Sequence, residues 1–460
     1  MTLMRVATPS LLLATSLACP PGETQADTAL SLFSSATGTV PLCEQGDRTT
    51  IVLSRASLID NFEVSEDPRD PQYLLVATND GPEILEGWPP LYIPRETPTG
   101  EPVYSNVLVG RFNAVDGSFA DGPVTVASNY QGAGFVNGPE FTQSDGRFGL
   151  LFAGPDGVHS VWRELEGAWH AFSENEDGSL VVTDQEGRLM AAPITVTAPG
   201  RFPAGGTAFE HRGHVEFFGL TLEDGCQEKC YGLLEATSGT TTDVFRRAVT
   251  QGFDRYFYST PLPHDPVGVV FSGCLTADDA SCGLFRAQID GFGGLSPAQQ
   301  IAQGGPYYLQ ETVIADALPT AGGGQRLVIL AAAPPRPPDM IPVIDVWTCD
   351  DHDPFDCQAM TLQARVETSR GMNHFRTVTS SNAVYLHYLI REDWPEAAKG
   401  SYLLEVRDGG DGTVSVAGPV HALSKAGGVE VVWASFDASL RLFFLTPDGQ
   451  FAMCRLVPGG

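Results

Sequence analysis

The chain has 460 residues, of which 42% are hydrophobic and 18% charged, a composition typical of globular and not of disordered proteins. Acidic residues outnumber basic ones by 56 to 27, and the formal net charge is -29. Such a surface repels phosphate backbones and anionic lipids, which excludes general nucleic-acid binding and electrostatic binding to membranes.

The first residues have the features of an export signal. Arg5 is the only charge before an apolar run, residues 11–18, that is too short to span a bilayer. Small residues at positions 16 and 18 predict cleavage before Cys19, so residues 1–18 are assigned to a signal peptide. Residues 19–40 are rich in Pro, Gly, Ser, Thr and Ala, which predicts a flexible tether. The folded domain is assigned to residues 41–460.

The stretch Ser16-Leu17-Ala18-Cys19 resembles the lipobox of bacterial lipoproteins, although Ser16 stands where that motif usually has Leu. The resemblance implies that Cys19 is lipidated and becomes the mature N-terminus. The expected location is then the outer membrane or the cell surface. Without the lipid the protein is expected to be periplasmic or secreted.

One pattern recurs along the rest of the chain, namely an apolar strand followed by a polar turn that usually contains Gly. It occurs about seven times, at intervals of roughly 50 to 70 residues, and two further apolar runs precede most copies. The sequence therefore predicts an all-β protein, a β-propeller of seven four-stranded blades. The copies are residues 106–112, 158–162, 231–236, 283–289, 341–347, 402–407 and 451–457.

The last copy ends at the C-terminus and leaves no room for an outer strand. Propellers commonly close by adding an N-terminal strand to the final blade, because closure removes exposed strand edges. Residues 49–54 have the pattern of that missing strand. On this model Cys43 and Cys454 lie on neighbouring strands and form a disulfide that closes the ring.

The number and spacing of the nine cysteines are typical of an exported protein with disulfide bonds. With Cys19 assigned to the lipid or lost with the signal, three local pairs remain besides Cys43 and Cys454. Each local pair flanks a polar turn between strand-like runs, where a hairpin brings cysteines within bonding distance. Zinc binding by the first pair is the alternative, although no second pair at zinc-finger spacing accompanies it. The pairs are Cys226 with Cys230, Cys274 with Cys282, and Cys349 with Cys357.

Two features leave the blade count open. An additional strand-like piece, residues 179–184, lies in the long interval between the second and third copies, and residues 334–338 form a Pro-rich insertion. Six or eight blades are alternatives. A two-domain β-sandwich is the structural rival.

Residues 138–148, followed by the apolar run 150–152, resemble the repeat of TolB-like and WD40-like propellers. In that repeat a Pro and an aromatic residue precede a Ser-Pro-Asp-Gly turn and an apolar strand. Gln143 and Ser144 depart from the pattern, and residues 445–449 repeat only the turn. The resemblance implies a propeller fold and no particular function.

Polar residues at the expected starts of blades are the candidate site, because propeller ligands usually lie at the mouth of the central channel. Several carboxylates at one mouth provide the acid and base of glycoside hydrolysis. The acidic turn at residues 350–356 has the oxygen ligands that Ca²⁺ prefers, but lacks the Gly and Glu of an EF-hand. The catalytic candidates are Glu140, Glu210, His264, Asp265, Glu311 and His374, and the calcium candidates are Asp350, Asp351, Asp353 and Asp356.

Two functional hypotheses follow. The sequence favours a monomeric, lipid-anchored, non-enzymatic propeller that binds a protein or glycan, with no cofactor and with membrane contact only through its lipid. The alternative is a secreted carbohydrate-active enzyme, similar to glycoside hydrolases, with acidic residues at the channel mouth.

Overall fold

The computed structural model describes residues 41–45, 48–51, 59–67, 70–80, 104–131, 140–144, 147–154, 157–164, 171–174, 180–183, 189–190, 194–195, 204–211, 214–221, 230–235, 255–262, 268–288, 297–305, 313–333, 342–349, 357, 359–369, 371–390, 400–424, 429–446 and 451–457. Within these ranges most of the backbone is in β-strands, with a four-residue helix, α1 (Leu42–Gln45), and 3-10 turns at Asp279–Ser281 and Ser435–Asp437. No helix described here is long and apolar enough to cross a membrane. The prediction of an all-β protein is confirmed.

The strands form small sheets that follow one another along the chain. The first described strand is β1 (Arg48–Ile51). Sheet 1 follows with β2 (Ile59–Glu66), β3 (Tyr73–Asp80), β4 (Tyr104–Asn113) and β5 (Phe119–Gln131). Sheet 2 contains β6 (Glu140–Ser144), β7 (Arg147–Gly154) and β8 (Gly157–Glu164). Three short strands come next, β9 (Ala171–Glu174), β10 (Leu180–Thr183) and β11 (Leu189–Met190), before β12 (Ile194–Thr195) completes sheet 2.

The remaining sheets repeat the same up-and-down order. Sheet 3 has β13 (Ala204–His211), β14 (His214–Thr221) and β15 (Cys230–Glu235). Sheet 4 has β16 (Arg255–Leu262), β17 (Gly268–Cys274), β18 (Cys282–Gln288) and β19 (Gln299–Gln303). Sheet 5 has β20 (Val313–Pro319), β21 (Gln325–Ala333), β22 (Val343–Cys349) and β23 (Met360–Glu367). Sheet 6 has β24 (Met372–Thr379), β25 (Val384–Ile390), β26 (Gly400–Asp408) and β27 (Val414–Leu423). Sheet 7 has β28 (Val429–Ala434), β29 (Ser439–Leu445), β30 (Phe451–Leu456) and β1.

Position within a sheet explains the residue pattern of each strand. All seven residues of β25, the second strand of sheet 6, are buried, because sheets pack against both of its faces. Its sequence is accordingly a continuous run of large, mostly apolar residues. The outermost strand of sheet 5, β23, instead carries exposed Thr, Leu, Arg and Glu between less exposed residues.

The cores lie between successive sheets and are made of side chains from both. Between sheets 5 and 6, Leu330 and Val346 lie in one buried cluster with Phe375 and Leu386. Corresponding clusters fill the spaces between sheets 4 and 5, between sheets 6 and 7, and between sheets 7 and 1. The last of these joins the C-terminal sheet to the N-terminal one through Phe443, Phe451 and Phe62.

A buried ionic network also joins sheets 7 and 1. The fully buried Arg441 donates its Nε–H to the backbone oxygen of Ala114 at 2.9 Å. Its Nη1 and Nη2 groups donate to the two carboxylate oxygens of Asp437 at 3.1 and 2.9 Å. Arg455 contributes a second cation, with Nη2 2.8 Å from Asp437. Asp437 therefore holds both arginines where the two sheets meet.

The N-terminal strand adds to the last sheet, as the sequence predicted. β1 pairs antiparallel with β30, with Arg48 opposite Cys454 and Ile51 opposite Phe451. The disulfide between Cys43 and Cys454 ties α1, the helix just before β1, to β30 across a sequence separation of 411 residues, so Cys43 lies on a helix and not on a strand as predicted. The ends of the described chain are thus held in one sheet both by backbone pairing and by a covalent bond.

Two local disulfides are also present. Cys274 and Cys282 face each other across β17 and β18 and are bonded, and Cys349 at the end of β22 is bonded to Cys357. Cys230 begins β15, but its expected partner Cys226 lies outside the described residues, as does Cys19.

The additional strand-like piece near residue 180 does not start a blade of its own. It is β10, which pairs with β9 and β11, and β9 in turn pairs in parallel with β5. Residues between β8 and β12 therefore extend the outer edge of sheet 1 by three strands. The sequence showed a strand here but could not show its partner, because an apolar run does not specify which edge it pairs with.

Candidate functional site

The first strands of the seven described sheets lie side by side. β2 contacts β6 and β28, β24 contacts β20 and β28, and the series continues from β20 to β16 and from β6 to β13. This arrangement is propeller-like, because strands from all seven sheets meet along one contiguous series. In such a series each first strand leaves one edge without a partner in its own sheet. We call these seven strands (β2, β6, β13, β16, β20, β24 and β28) the inner strands.

An ion pair joins two neighbouring inner strands. The Nε atom of Arg376 on β24 lies 3.8 Å from a carboxylate oxygen of Glu430 on β28. The side chains are 32% and 19% exposed, so both remain accessible to solvent. Each charge is placed within an otherwise apolar or hydroxyl-bearing strand segment, with Val429 and Val431 on either side of Glu430.

Two further carboxylates lie on the inner strands that flank this pair. Asp316 on β20 and Glu63 on β2 are half-buried. Asp316 shares a strand face with Ile314 and Leu318, which pack against the core between sheets 5 and 6. Glu63 lies between Phe62 and Val64, which pack in the core between sheets 7 and 1, and therefore occupies the opposite face of β2. Sheets 5, 6, 7 and 1 thus carry a series of ionisable side chains: Asp316, Arg376, Glu430 and Glu63.

Glu66 has a structural role at the end of β2. The backbone N–H of Ser435 donates to its Oε1 at 2.6 Å, and the Ser435 hydroxyl donates to its Oε2 at 3.2 Å. These bonds hold the 3-10 turn that follows β28 against sheet 1. Glu66 therefore has a structural role, unlike Glu63 on the same strand, which belongs to the series of inner-strand charges.

A buried polar group lies next to the inner strands, between sheets 6 and 7. Tyr385 stacks on Trp433 with ring centroids 5.7 Å apart, and Arg407 is paired with the buried Glu405 nearby. Burial, reinforced by the negative charge of Glu405, raises the pKa of Tyr385 to about 12. The phenol is thus neutral over the physiological range, and we assign the group to packing between the sheets.

Four inner strands have a β-bulge close to their start, and one of them is β13, whose register shifts between Ala204 and Gly206. The register with the second strand shifts between Ile59 and Phe62 in β2, between Tyr256 and Ser259 in β16, and between Asn373 and Arg376 in β24. Bulges re-aim side chains and are common beside active sites. The residues that the bulges place between paired positions include Asp60, Tyr258 and His374.

Three of the six catalytic residues predicted from the sequence lie on inner strands. Glu140 is the first residue of β6, Glu210 is the second-to-last residue of β13, and His374 lies in the bulge of β24. Glu140 and Glu210 thus stand at opposite ends of their own strands. The other three, His264, Asp265 and Glu311, lie outside the described residues.

The four carboxylates predicted to bind Ca²⁺, Asp350, Asp351, Asp353 and Asp356, also lie outside the described residues. Within the described ranges no group of three or more His, Cys, Asp or Glu side chains is placed to hold a metal ion.

Sequence reasoning missed Glu63, Asp316, Arg376 and Glu430, because it looked at strand entrances and not within strands. A usable signal was present. Each of these charged residues lies within a short strand, and two of them stand between small or β-branched apolar residues, as in Ala315-Asp316-Ala317 and Val429-Glu430-Val431. A charge at such a position is costly to bury and is retained most readily where the strand borders solvent or a ligand.

No protein-family model matches this sequence, and no curated protein matches it. Solved structures do resemble it. The polysaccharide lyase Uly1 is 12% identical with a TM-score of 0.45, covering 90% of this chain and 93% of the lyase. The α-L-arabinofuranosidase Arb93A of Fusarium graminearum is 10% identical with a TM-score of 0.41, covering 69% of this chain and 92% of that one. The NanB sialidase of Streptococcus pneumoniae is 10% identical with a TM-score of 0.36, covering 92% and 72%.

One prediction is corrected here. The sequence favoured a non-enzymatic protein, whereas the similar solved structures are mostly named as glycoside hydrolases and lyases. With TM-scores below 0.5, these likenesses assign neither a substrate nor a catalytic residue to this chain.

Proposed function

We propose that this protein is an exported carbohydrate-active enzyme, similar in chemistry to glycoside hydrolases, with its site on the inner strands. The observation that carries the proposal is the solvent-accessible pair of Glu430 and Arg376 on neighbouring inner strands, flanked by Asp316 and Glu63. Glycoside hydrolysis needs two carboxyl groups on either side of the scissile bond, separated by roughly 5 to 10 Å. Glu430 and Glu63 lie on adjacent inner strands, with Glu63 on the face of β2 that points away from sheet 7.

The two reacting carboxyl groups are, on this proposal, Glu430 and Glu63. β28 and β2 are direct neighbours, whereas β24 stands between β28 and the strand of Asp316. Arg376 places a fixed positive charge 3.8 Å from Glu430, which positions this carboxylate as the nucleophile or base. Glu63 is then the acid that protonates the leaving oxygen. Arg376 is a positioning residue, because it acts through Glu430.

The same proposal includes a closed ring of seven blades. The contiguous series of inner strands and the pairing of β1 with β30 support it. Sheet 3 then adjoins sheet 4, and the inner strands surround a central channel that contains the carboxylates. Export by a signal peptide ending at residue 18 and a lipid on Cys19 are retained as further proposals, supported by the sequence alone.

Hydrolysis of neutral 4-nitrophenyl glycosides, including the α-L-arabinofuranoside and the β-D-xyloside, tests the reaction. The full-length protein should release nitrophenol from at least one of them. Glu430→Gln and Glu63→Gln should each lower kcat/KM by about 100-fold or more, the range expected on loss of an acid or base. Thermal unfolding of each variant checks that the fold survives.

The matched control is Glu367→Gln, because Glu367 is an exposed carboxylate on the outermost strand of sheet 5. Its kcat/KM should stay within about twofold of the wild type. Folded Glu430→Gln and Glu63→Gln variants with wild-type rates would refute the assigned site. The absence of turnover on every glycoside and polysaccharide would refute the enzymatic proposal.

A further inference from the structure

The inner strands are rich in acidic residues and poor in basic ones. Within their described bounds they contain seven acidic residues, two arginines and no lysine. The acidic residues are Asp60, Glu63, Glu66, Glu140, Glu210, Asp316 and Glu430, and the arginines are Arg255 and Arg376. Among those whose side chains are described, four are acidic (Glu63, Glu66, Asp316 and Glu430) and one is basic (Arg376), so this part of the inner strands is predominantly negative.

The one inner-strand arginine whose side chain is described is already engaged. Arg376 faces Glu430 at 3.8 Å, and its positive charge is compensated by that carboxylate. Binding a glycan carboxylate or sulfate ordinarily uses the planar fork of an arginine, or a lysine ammonium, directed at the anion. An anion at Arg376 would therefore lie beside the negative charge of Glu430, which repels it.

The charge of the whole chain acts in the same direction. The net charge is -29, and positive charges are carried almost entirely by arginine, with lysine only at positions 229, 399 and 425. None of these three lysines lies in a described strand. A long-range negative potential lowers the local concentration of a polyanion and slows its association.

From these observations we infer that the substrate is a glycan without carboxylate or sulfate groups. This inference rests on the proposed function, since it specifies the substrate class of the same inner-strand site. It assigns uncharged glycans, and glycans that carry free amino groups, to the site. It excludes uronate-rich, sialylated and sulfated glycans as substrates.

The test compares polysaccharides of different charge with the full-length protein, measured by release of reducing ends in 50 mM NaCl. Linear arabinan and xylan are the neutral probes, chitosan is the cationic probe, and polygalacturonate is the anionic probe. The rate on the best neutral or cationic probe should exceed that on polygalacturonate by at least about 100-fold. A higher rate on chitosan than on the neutral probes would identify amino groups as the feature recognised, and the reverse would identify an uncharged glycan.

Two charge-reversal variants distinguish the effect of the inner-strand charges on polyanion binding from the effect of the net charge. Asp316→Arg and Glu367→Arg change the net charge equally, but only the first changes an inner strand. In a gel that contains polygalacturonate, the folded Asp316→Arg variant should be retarded at least about threefold more than the folded Glu367→Arg variant. Equal retardation of the two variants would contradict a local origin of the charge selectivity.

The failures of the inference and of the proposed function are distinct. Cleavage of polygalacturonate at a rate equal to or above that of the other polymers overturns the substrate class and leaves an enzyme acting on carbohydrate. No cleavage of the four polymers or of any nitrophenyl glycoside overturns the proposed function, and the inference with it.

Discussion

Asp437 connects two arginines and a serine at the junction of sheets 7 and 1. Burial acts to raise the pKa of this carboxyl, but the hydrogen bonds from Arg441 and Ser439 and the charges of Arg441 and Arg455 outweigh it. The pKa therefore lies below its ordinary value. A carboxyl whose pKa is lowered by folding contributes stability above its unfolded pKa of about 3.9, and that contribution is lost as the pH falls through the folded pKa.

We expect Asp437→Asn to lower the free energy of unfolding at pH 7 by about 3 kcal/mol, because it leaves the fully buried Arg441 without its carboxylate. Urea denaturation measures this difference. The difference in free energy of unfolding between wild type and variant should stay nearly constant from pH 7 to about 5 and narrow as the pH falls below about 4. Asp116→Asn, which changes a carboxylate in an exposed turn, is the control and should leave the free energy of unfolding nearly unchanged. A difference that does not narrow below about pH 4 would contradict the ionic role of Asp437.

Some of the charged residues on the inner strands were predicted from the sequence and others were not. The sequence directed attention to Glu140, Glu210 and His374, and all three lie on inner strands. It did not select Glu430 or Asp316, because a single charged residue in an apolar run is also typical of an ordinary exposed position in a strand. Only the contact between β24 and β28 identifies Glu430 as a partner of Arg376.

At the scale of elements, the pairing of β1 with β30 is the feature best predicted from sequence. The final repeat lacked an outer strand, and two cysteines near the chain ends had no local partner, so both observations required the same contact. The extension of sheet 1 by β9, β10 and β11 could not be predicted in this way. β9 pairs in parallel with β5 because that sheet edge lies nearby in the fold, and the residue pattern of β9 does not specify which edge it pairs with.

The disulfides should differ in their contribution to stability. In the chain-entropy model, loss of Cys43–Cys454 costs about 6 kcal/mol, because the bond closes a 411-residue separation, whereas loss of Cys274–Cys282 costs about 2.5 kcal/mol. Cys43→Ser/Cys454→Ser and Cys274→Ser/Cys282→Ser are the matched double variants, compared by urea denaturation at pH 7. Equal losses would show that β1 is held in sheet 7 without help from its disulfide.

At the scale of the whole molecule, the repeated strand pattern was sufficient to predict an all-β protein of several small sheets, whereas function was not predictable from it. A propeller-like arrangement supports many chemistries, and the pattern that produces the sheets consists of core residues. The charge of -29 is the one global feature with direct physical consequences, because like charges repel one another more strongly in the compact folded state than in the unfolded chain.

We therefore expect salt to stabilise the fold. Increasing NaCl from 0.05 to 0.5 M at pH 7.5 shortens the Debye length from about 14 Å to about 4 Å, and the Tm should rise by several degrees. The effect should nearly vanish at pH 4.5, close to the sequence pI. A Tm that falls with NaCl at pH 7.5 would show that attractive ion pairs outweigh the net repulsion.

The most direct test of the central claim, that glycans bind on the inner strands, is hydrogen–deuterium exchange of the folded Glu430→Gln variant with and without arabinotriose or xylotriose. The proposal predicts slower exchange, on adding the sugar, in peptides covering β2, β24 and β28, with no change in the outermost strands β23 and β27. Protection confined to β23 and β27, or no protection with sugars that the wild-type protein cleaves, would place the glycan elsewhere and contradict the proposed site.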